Sequence, residues 1–402
     1  MKTQAAAIEF GTSKVVTVFA ESGGFARCEI IGSGTVYYDG YKGGVWNRPD
    51  LLAEAVRNSV NAAELEAKTR IHSVYVGVPC EYIQIRVAEA EVAINSADER
   101  VGDDQINAVQ DAAADKLRLA DVQATVIHRS PAWFSVDGGK HTMSILGVRG
   151  KRLRASVSFI LADPAFMEDI CELLSMLGIT VMGFMAPVLG QTLLMLPLEE
   201  RDRSCILIDA GYLNTEITVA EGDAAVYHAV LPLGGGNITA DIAYDLQLDM
   251  RDAEHIKRTY QLMPDPLDAP KSTIVLADEY GSRIEIPRNA AREAIERSLN
   301  EQCALIEKTV REASAHTGPR SQIYLTGGGI AMMNGGREYL ANKLGRPVRS
   351  PASKAVKLNT PNYTSILGLV DLVFDSIEQR TPQDESLPGR LKGGLKGMFA
   401  KK

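Results

Sequence analysis

Residues 206–223, ILIDAGYLNTEITVAEGD, decide the fold, because residues 6–24, AAIEFGTSKVVTVFAESGG, repeat their grammar in the first half of the chain. Each stretch reads as an apolar strand, an acid-x-Gly tip, a polar turn containing Thr, and a second apolar strand. Alternating apolar runs broken by a Gly turn are hairpin signals. A matched pair of them, far apart in one chain, is what duplicated halves facing each other across a cleft leave in a sequence. Either hairpin alone is an ordinary Gly turn. Together they present two tips whose backbone N–H groups can cradle phosphate, as anion-binding nests do. Gly11, Thr12, Ser13 and Lys14 form the first candidate cradle, and Gly211, Asn214 and Thr215 the second. Glu9 and Asp209 precede the tips, where a carboxylate can hold Mg²⁺ directly or through water.

A third glycine cluster lies downstream. Residues 323–329, IYLTGGG, form a strand ending in Gly327, Gly328 and Gly329, where a flat base can approach the backbone closely. Glu254 and Lys257 stand three apart on an expected helix over 251–260 and can bracket a ribose; the plainer reading is a solvated ion pair. Around these motifs the pattern predicts an α/β chain. A strand over 27–37 is followed by a helix over 48–69 with Pro49 in its first turn, then a strand over 71–78. Residues 83–161 read as an inserted α+β unit, with strands at 83–94 and 124–127, a helix over 103–117, and a turn-rich segment after it. A helix resumes at 163–177. A long helix over 289–315 follows a Pro/Asp loop at 264–270 and two strands.

Composition narrows the function classes. The 402 residues exceed one compact core, so two domains or more are expected. Hydrophobic residues make up 45% and charged residues 23%, which suits a globular body. A net charge of -8 argues against a nucleic-acid-binding surface. The five cysteines are scattered and show no metal or disulfide spacing, as for free thiols in a reducing compartment. The N-terminus has no apolar signal core, and no run of 18 apolar residues offers a membrane span.

The acidic balance reverses at the end. After a polar linker, TPQDESLPG at 381–389, the last thirteen residues carry five basic side chains and no acidic one. Leu391, Leu395, Met398 and Phe399 share one helical face, and Arg390, Lys392, Lys396, Lys401 and Lys402 supply the other. That is the pattern of an interfacial amphipathic helix for anionic lipid. Three glycines in it (393, 394, 397) cost about 1 kcal/mol each in helix propensity, so it is expected to fold only on a bilayer. A frayed basic C-terminus is the plain alternative.

With these pieces in order, the chain resembles the FtsA family of the actin/Hsp70 superfamily. The matching segments are FGTSKV (10–15), DDQINAV (103–109), VDG…LGVRGKRLRA (136–155), GGNITADIA (235–243), AEHIKRTY (253–260), YLTGGG (324–329) and YTSILGL (363–369). The resemblance implies an actin-like duplicated fold, two halves around a nucleotide cleft, with an FtsA-type inserted subdomain in the first half. It implies subdomains at 1–82 with 163–190, an insert at 83–162 for filament contacts, 191–244 with 320–380, and a small subdomain at 245–319. It also implies a linker at 381–389 and a membrane-targeting helix at 390–402. ATP and Mg²⁺ are the implied cofactors. The implied partners are the C-terminal peptide of FtsZ, other copies in a filament, other division proteins and an anionic membrane surface, with no nucleic acid. The implied place is the cytoplasmic face of the inner membrane at the division site, as a peripheral protein. Arg288, Arg292 and Arg297 lie on or near the start of the long helix, where they can meet an acidic peptide.

Departures from the family pattern shape the expected activity. Glu9 replaces the usual Asp, Tyr212 and Leu213 occupy glycine positions of the second tip, and Ala186-Pro187 stands where the family has Glu-Pro. That Glu is placed to orient the attacking water, so the expectation is nucleotide binding with little or no hydrolysis. An active ATPase or sugar kinase of the same fold needs an acid near residue 186. A PilM-like cytoplasmic scaffold of pilus machinery typically lacks the basic tail at 390–402.

Overall fold

A computed structural model of the chain describes residues 2–23, 26–42, 45–263, 273–277, 283–318, 321–351 and 356–380. The linker and the basic segment at 390–402, including Leu391, Lys392, Leu395, Lys396, Met398 and Phe399, lie outside the described residues.

The first half is a five-stranded sheet. Strands β1 (Gln4–Phe10), β2 (Lys14–Gly23) and β3 (Ala26–Tyr37) form an antiparallel meander. Helix α1 (Pro49–Ala67) then crosses over to β4 (Ser73–Gly77), which pairs parallel with β1. Pro49 at its first turn fixes φ where no N–H partner is needed, and Lys68 ends the helix in the left-handed region. The apolar side chains Leu52, Ala55, Val56, Val60 and Ala63 are buried against β2 and β3.

Between β4 and the rest of that sheet sits the insert. Strands β5 (Ile83–Ala93), β6 (Thr125–Val136) and β7 (Arg152–Ala162) form a sheet ordered β5-β7-β6, backed by helix α2 (Asp103–Lys116). Strand β6 runs through the segment expected to be turn-rich. Pro131 is tolerated there because β6 is an edge strand and its register shifts between Pro131 and Trp133. The insert has its own apolar cluster, centred on Val109, Leu153, Val157 and Phe159.

The chain returns through helix α3 (Pro164–Met176), capped by the Asp163 carboxylate on the Ala165 N–H. Strand β8 (Thr180–Met185) then adds parallel to β4, and helix α4 (Pro187–Met195) leads to the second half. There β9 (Cys205–Ala210), β10 (Thr215–Glu221) and β11 (Ala224–Leu231) repeat the meander. Helices α5 (Gly235–Leu246) and α6 (Met250–Thr259), hairpin β12 (Thr273–Ala277) and β13 (Arg283–Pro287), and helix α7 (Arg288–Ala313) follow. Strand β14 (Gln322–Thr326) pairs parallel with β9, helix α8 (Gly336–Leu344) crosses back, and β15 (Val348–Arg349) closes the sheet. The two sheets, β3-β2-β1-β4-β8 and β11-β10-β9-β14-β15, have the same order and the same antiparallel and parallel pairings. The duplication legible in residues 6–24 and 206–223 is a duplication of whole sheets.

Packing redraws two expected divisions. Helix α9 (Thr364–Arg380) was expected with the second half; its Ile366, Leu369, Val373 and Phe374 are buried in the first-half core with β1 and α4. The small subdomain at 245–319 shares one continuous core with the second sheet, because Ile256, Leu276, Ile295 and Leu299 pack in the cluster of Ile206 and Ile217. Helices α4 and α9 touch backbone to backbone where Gly190 meets Gly368. A Cβ on Gly190 would stand 2.1 Å from the Gly368 carbonyl oxygen.

The insert braces both halves. Ser158 of β7 donates to the Ala225 carbonyl of β11 at 2.5 Å, and the Asp223 N–H donates to the Pro131 carbonyl at 3.3 Å. Through these contacts a subdomain that branches from the first half is tied to the edge of the second.

Candidate nucleotide cleft

The two tips are built alike, and their sequences explain why. Strands β1 and β2 close on a two-residue turn, Thr12-Ser13, with the Gly11 N–H donating to the Lys14 carbonyl at 2.9 Å. Strands β9 and β10 close on Tyr212-Leu213, with the Gly211 N–H donating to the Asn214 carbonyl at 2.8 Å. The tips face each other across a cleft of about 1310 Å³ between the halves. Glu9, Gly11, Thr12, Ser13, Lys14, Asp209, Gly211, Asn214, Glu254, Gly327 and Gly328 all line it, so the structure brings most of the candidate residues together.

Three candidates sit differently, each for a local reason. Thr215 is fully buried beneath its tip, donating to the Leu233 carbonyl at 2.7 Å and accepting from Gln302. The strand alternation sends Glu216, not Thr215, to the cleft wall. Gly329 is packed behind the wall; its N–H donates to the Ala210 carbonyl at 2.7 Å, and a Cβ on it would meet three backbone atoms of the second tip and α5. Lys257 is 1% exposed and does not line the cleft. Its Nζ donates to the Gly235 carbonyl and to Thr239 Oγ1, each at 2.8 Å, and pairs with Glu254 at 2.5 Å. The helix presents its neighbour Arg258 to the cleft instead, with Nε donating to Glu254 at 2.6 Å. Burial pushes the Lys257 amine down to about 8, against the pull of Glu254. Burial opposes the Glu254 carboxylate too, yet Lys257, Thr239 and Arg258 together hold it below its ordinary pKa.

Ala186 is fully buried at the N-cap of α4 and has no side chain to offer water. Its N–H donates at 2.8 Å to His128 Nε2 of the insert, whose ring burial pushes down to about 3. Gln191, five residues on, reaches the cleft floor instead. Its Nε2 donates to Asp209 Oδ2 at 2.7 Å and to Thr364 Oγ1 at 2.8 Å, joining β9 to α9.

The floor is acidic. Glu9 and Asp209 occupy equivalent positions on β1 and β9, with Glu216 beside them. Burial, and then the nearby Glu216 and Glu9 charges, push Asp209 up to about 7; burial is also the main cause raising Glu9. Lys14 is the cation that opposes them. Burial lowers its pKa, and its Nζ donates to the Asn362 carbonyl at 2.8 Å while standing 3.9 Å over the Tyr363 ring. Buried carboxylates this poorly compensated fit a site for a divalent cation arriving with a polyphosphate. Among the described residues no group of three or more His, Cys, Asp or Glu is arranged to hold a metal alone. That donor set suits Mg²⁺, which keeps waters and phosphate oxygens as its main ligands.

Contacts that the sequence did not single out complete the site. Thr12 Oγ1 accepts from the Leu213 N–H at 3.1 Å, so the two tips are joined directly. Glu81, in the turn after β4, accepts from Asn214 Nδ2 and from Tyr41 OH. The N-terminal turn of α5 adds Gly236 and Asn237 to the wall. Its positive dipole end is a second place for anionic oxygens. The GGN run was legible as a family match, and its position at a helix start is the signal that it belongs to the site.

The three candidate peptide contacts do not form one patch. Arg288 lies over the Tyr260 ring at 4.9 Å, and Arg292, one helical turn on, also bears on Tyr260. Arg297 is on another face of α7, paired with Asp245 of α5 at 2.5 Å, and Ser298 beside it is buried.

Comparisons with known proteins agree with this geometry. The family model described as Cell division protein FtsA matches residues 206–368. The FtsA of Borreliella burgdorferi is 26% identical over 416 aligned positions, covering 98% of this chain and 97% of that protein. Among solved structures, a PilM-PilN type IV pilus biogenesis complex superposes with a TM-score of 0.62 at 18% identity, over 92% of this chain and 98% of that one. MreB5 of Spiroplasma citri bound to ADP superposes with a TM-score of 0.53 at 12% identity, over 93% and 98%. At those identities the two structures speak for the fold alone, which is actin-like.

Proposed function

This chain belongs to the FtsA family of actin-like cell-division proteins, and we propose that it is a membrane-tethering adaptor of the division ring. In this reading it assembles head-to-tail into actin-like filaments through the insert, links the C-terminal peptide of FtsZ to the membrane, and sits at the cytoplasmic face of the inner membrane. The observation that carries the reading is the tail. Helix α9 is anchored in the first-half core, and in sequence it is followed by the linker and by residues 390–402, with five basic side chains and apolar ones at helical spacing. No helix among the described residues is long and apolar enough to cross a membrane. Peripheral attachment through that tail is the arrangement these features favour. Burying Leu391, Leu395, Met398 and Phe399 contributes about 1.5–3 kcal/mol per side chain, less the cost of ordering, which gives reversible binding that a filament makes tight.

The cleft is read as a site for ATP with Mg²⁺. Lys14, the two tips and the start of α5 face the phosphates; Glu9 and Asp209 face the metal, which would neutralise phosphate charge; Glu254, Arg258, Gly327 and Gly328 lie towards the adenosine. Hydrolysis is negligible in this reading, because Ala186 offers no group to orient water and losing such a positioned acid or base costs roughly 10²–10⁴-fold in rate. Arg288 and Arg292 are the candidate contacts for an acidic FtsZ peptide, with Arg297 held apart by Asp245.

Flotation with anionic liposomes tests the tether. The Phe399→Glu variant is expected to stay in the protein fraction with its fold intact by circular dichroism. Unchanged flotation would sink the tether. Calorimetry with a phosphate-release assay tests the cleft, and brisk release would show that another group orients water.

A further inference from the structure

A second cavity, sharing no lining residue with the nucleotide cleft, lies where the insert, α4, α9 and the β10–β11 turn meet. It holds about 430 Å³ and is lined by apolar side chains, among them Trp133, Leu193 and Leu372, and by an acidic set. Asp202 and Glu221 face it with no cation paired to them among the described residues, and Asp223 faces it beside its one guanidinium, Arg201. That guanidinium is committed, donating to Asp223 Oδ1 at 2.9 Å and to the Gly222 and Leu196 carbonyls. The wall therefore offers apolar surface inside an excess of negative charge. Burial, with the Glu89 charge, pushes the Glu221 carboxyl up from its ordinary value, as expected of an acid that lacks a cation.

We propose that this cavity is a docking site for the chain's own C-terminal segment, residues 390–402, which occupies it when no membrane is present. The proposal rests on the amphipathic reading of that segment given above and adds a second resting place for it. Three features favour this occupant. The segment carries five basic residues and no acidic side chain, complementary to the wall, and its Met398 and Phe399 match the apolar interior. Helix α9 itself lines the cavity with Asp371, Leu372 and Asp375, so the segment starts close by: Asp375 to Arg380 is about 7.5 Å of helix. Residues 381–389 then reach at most about 30 Å, enough to turn back. Tethering on so short a span raises the effective concentration to the mM range, so even weak docking fills the site. The cavity is of a size that buries a few side chains rather than a helix. Lipid, which takes the whole apolar face, therefore outcompetes it.

The test uses the full chain and two independent changes at the cavity. Asp202→Asn with Glu221→Gln removes rim charge, and Ser144→Trp fills the mouth. Trypsin cleavage after Lys392 and Lys396 is followed by mass spectrometry without lipid, and flotation is measured with phosphatidylglycerol–phosphatidylcholine vesicles. Docking predicts slow cleavage in the parent chain, several-fold faster cleavage in both variants, and flotation at lower lipid concentration. Equal cleavage in all three proteins would overturn it, as would protection that appears only at high protein concentration, which would assign the tail to a second copy. Because the protease arm needs no membrane, failure of the tether and failure of the docking are read separately.

Discussion

Replacing Lys257 by Met separates a buried staple from a nucleotide contact. The ammonium ties the first turn of α5 to α6 through Gly235, Thr239 and Glu254, and it does so at 1% exposure. Met keeps most of the apolar stem and removes all three interactions. Two hydrogen bonds contribute about 1 kcal/mol each. Breaking a buried ion pair by removing one partner costs about 3–5 kcal/mol when the other charge is stranded. Here Glu254 keeps Arg258 at 2.6 Å and the Thr239 hydroxyl and is not stranded, so the total loss should fall below that range and rest mainly on the two hydrogen bonds, about 2–3 kcal/mol at pH 7. The sign with pH is fixed by the depressed amine. With a folded pKa of about 8 against 10.5, the unfolded chain holds a proton that the folded one has released, so the parent gains stability as pH rises from 8 towards 10.5. The deficit of Lys257→Met should therefore widen across that window. Urea unfolding at pH 7 and pH 9.5, with hydrogen exchange of residues 235–246 and 250–259, measures both effects. A variant as stable as the parent at both pH values that has nonetheless lost ATP affinity would refute the staple and make Lys257 a ligand.

The joined tips give a second expectation. Thr12→Val loses about 1 kcal/mol and Asn214→Ala, whose partner is the Glu81 carboxylate, about 1.5–3 kcal/mol. Together they should raise hydrogen exchange at 11–14 and 211–214 without exposing the two cores; unchanged exchange would mean that these bonds do not hold the halves. Gly368→Ala drives a Cβ to 2.3 Å from the Gln191 backbone nitrogen, so it should cost about 1–3 kcal/mol in thermal stability and displace Gln191 from Asp209. A neutral result would show that α4 and α9 can part without cost.

Much of this protein was determined by the sequence alone. The two tips, and helices such as α1 with Pro49 and α3 with Asp163-Pro164 at their starts, follow from local rules of periodicity, turn chemistry and capping. Those rules act between residues a few positions apart, and the chain states them twice, at 6–24 and 206–223. Tertiary structure decided what covers each face. The family resemblance put residues 364–380 with the second half, but packing put α9 in the first core. Residues 253–260 announced a helix at the cleft, but Lys257 and Arg258 differ by one step of about 100° around it. The placement of α5 sent the first into the protein and the second to the wall. Gln191, Glu81 and the acidic second cavity were invisible for the same reason: each depends on elements that are distant in the chain, and only the crossing of α4 with α9 and the bracing of β11 by the insert bring them within reach.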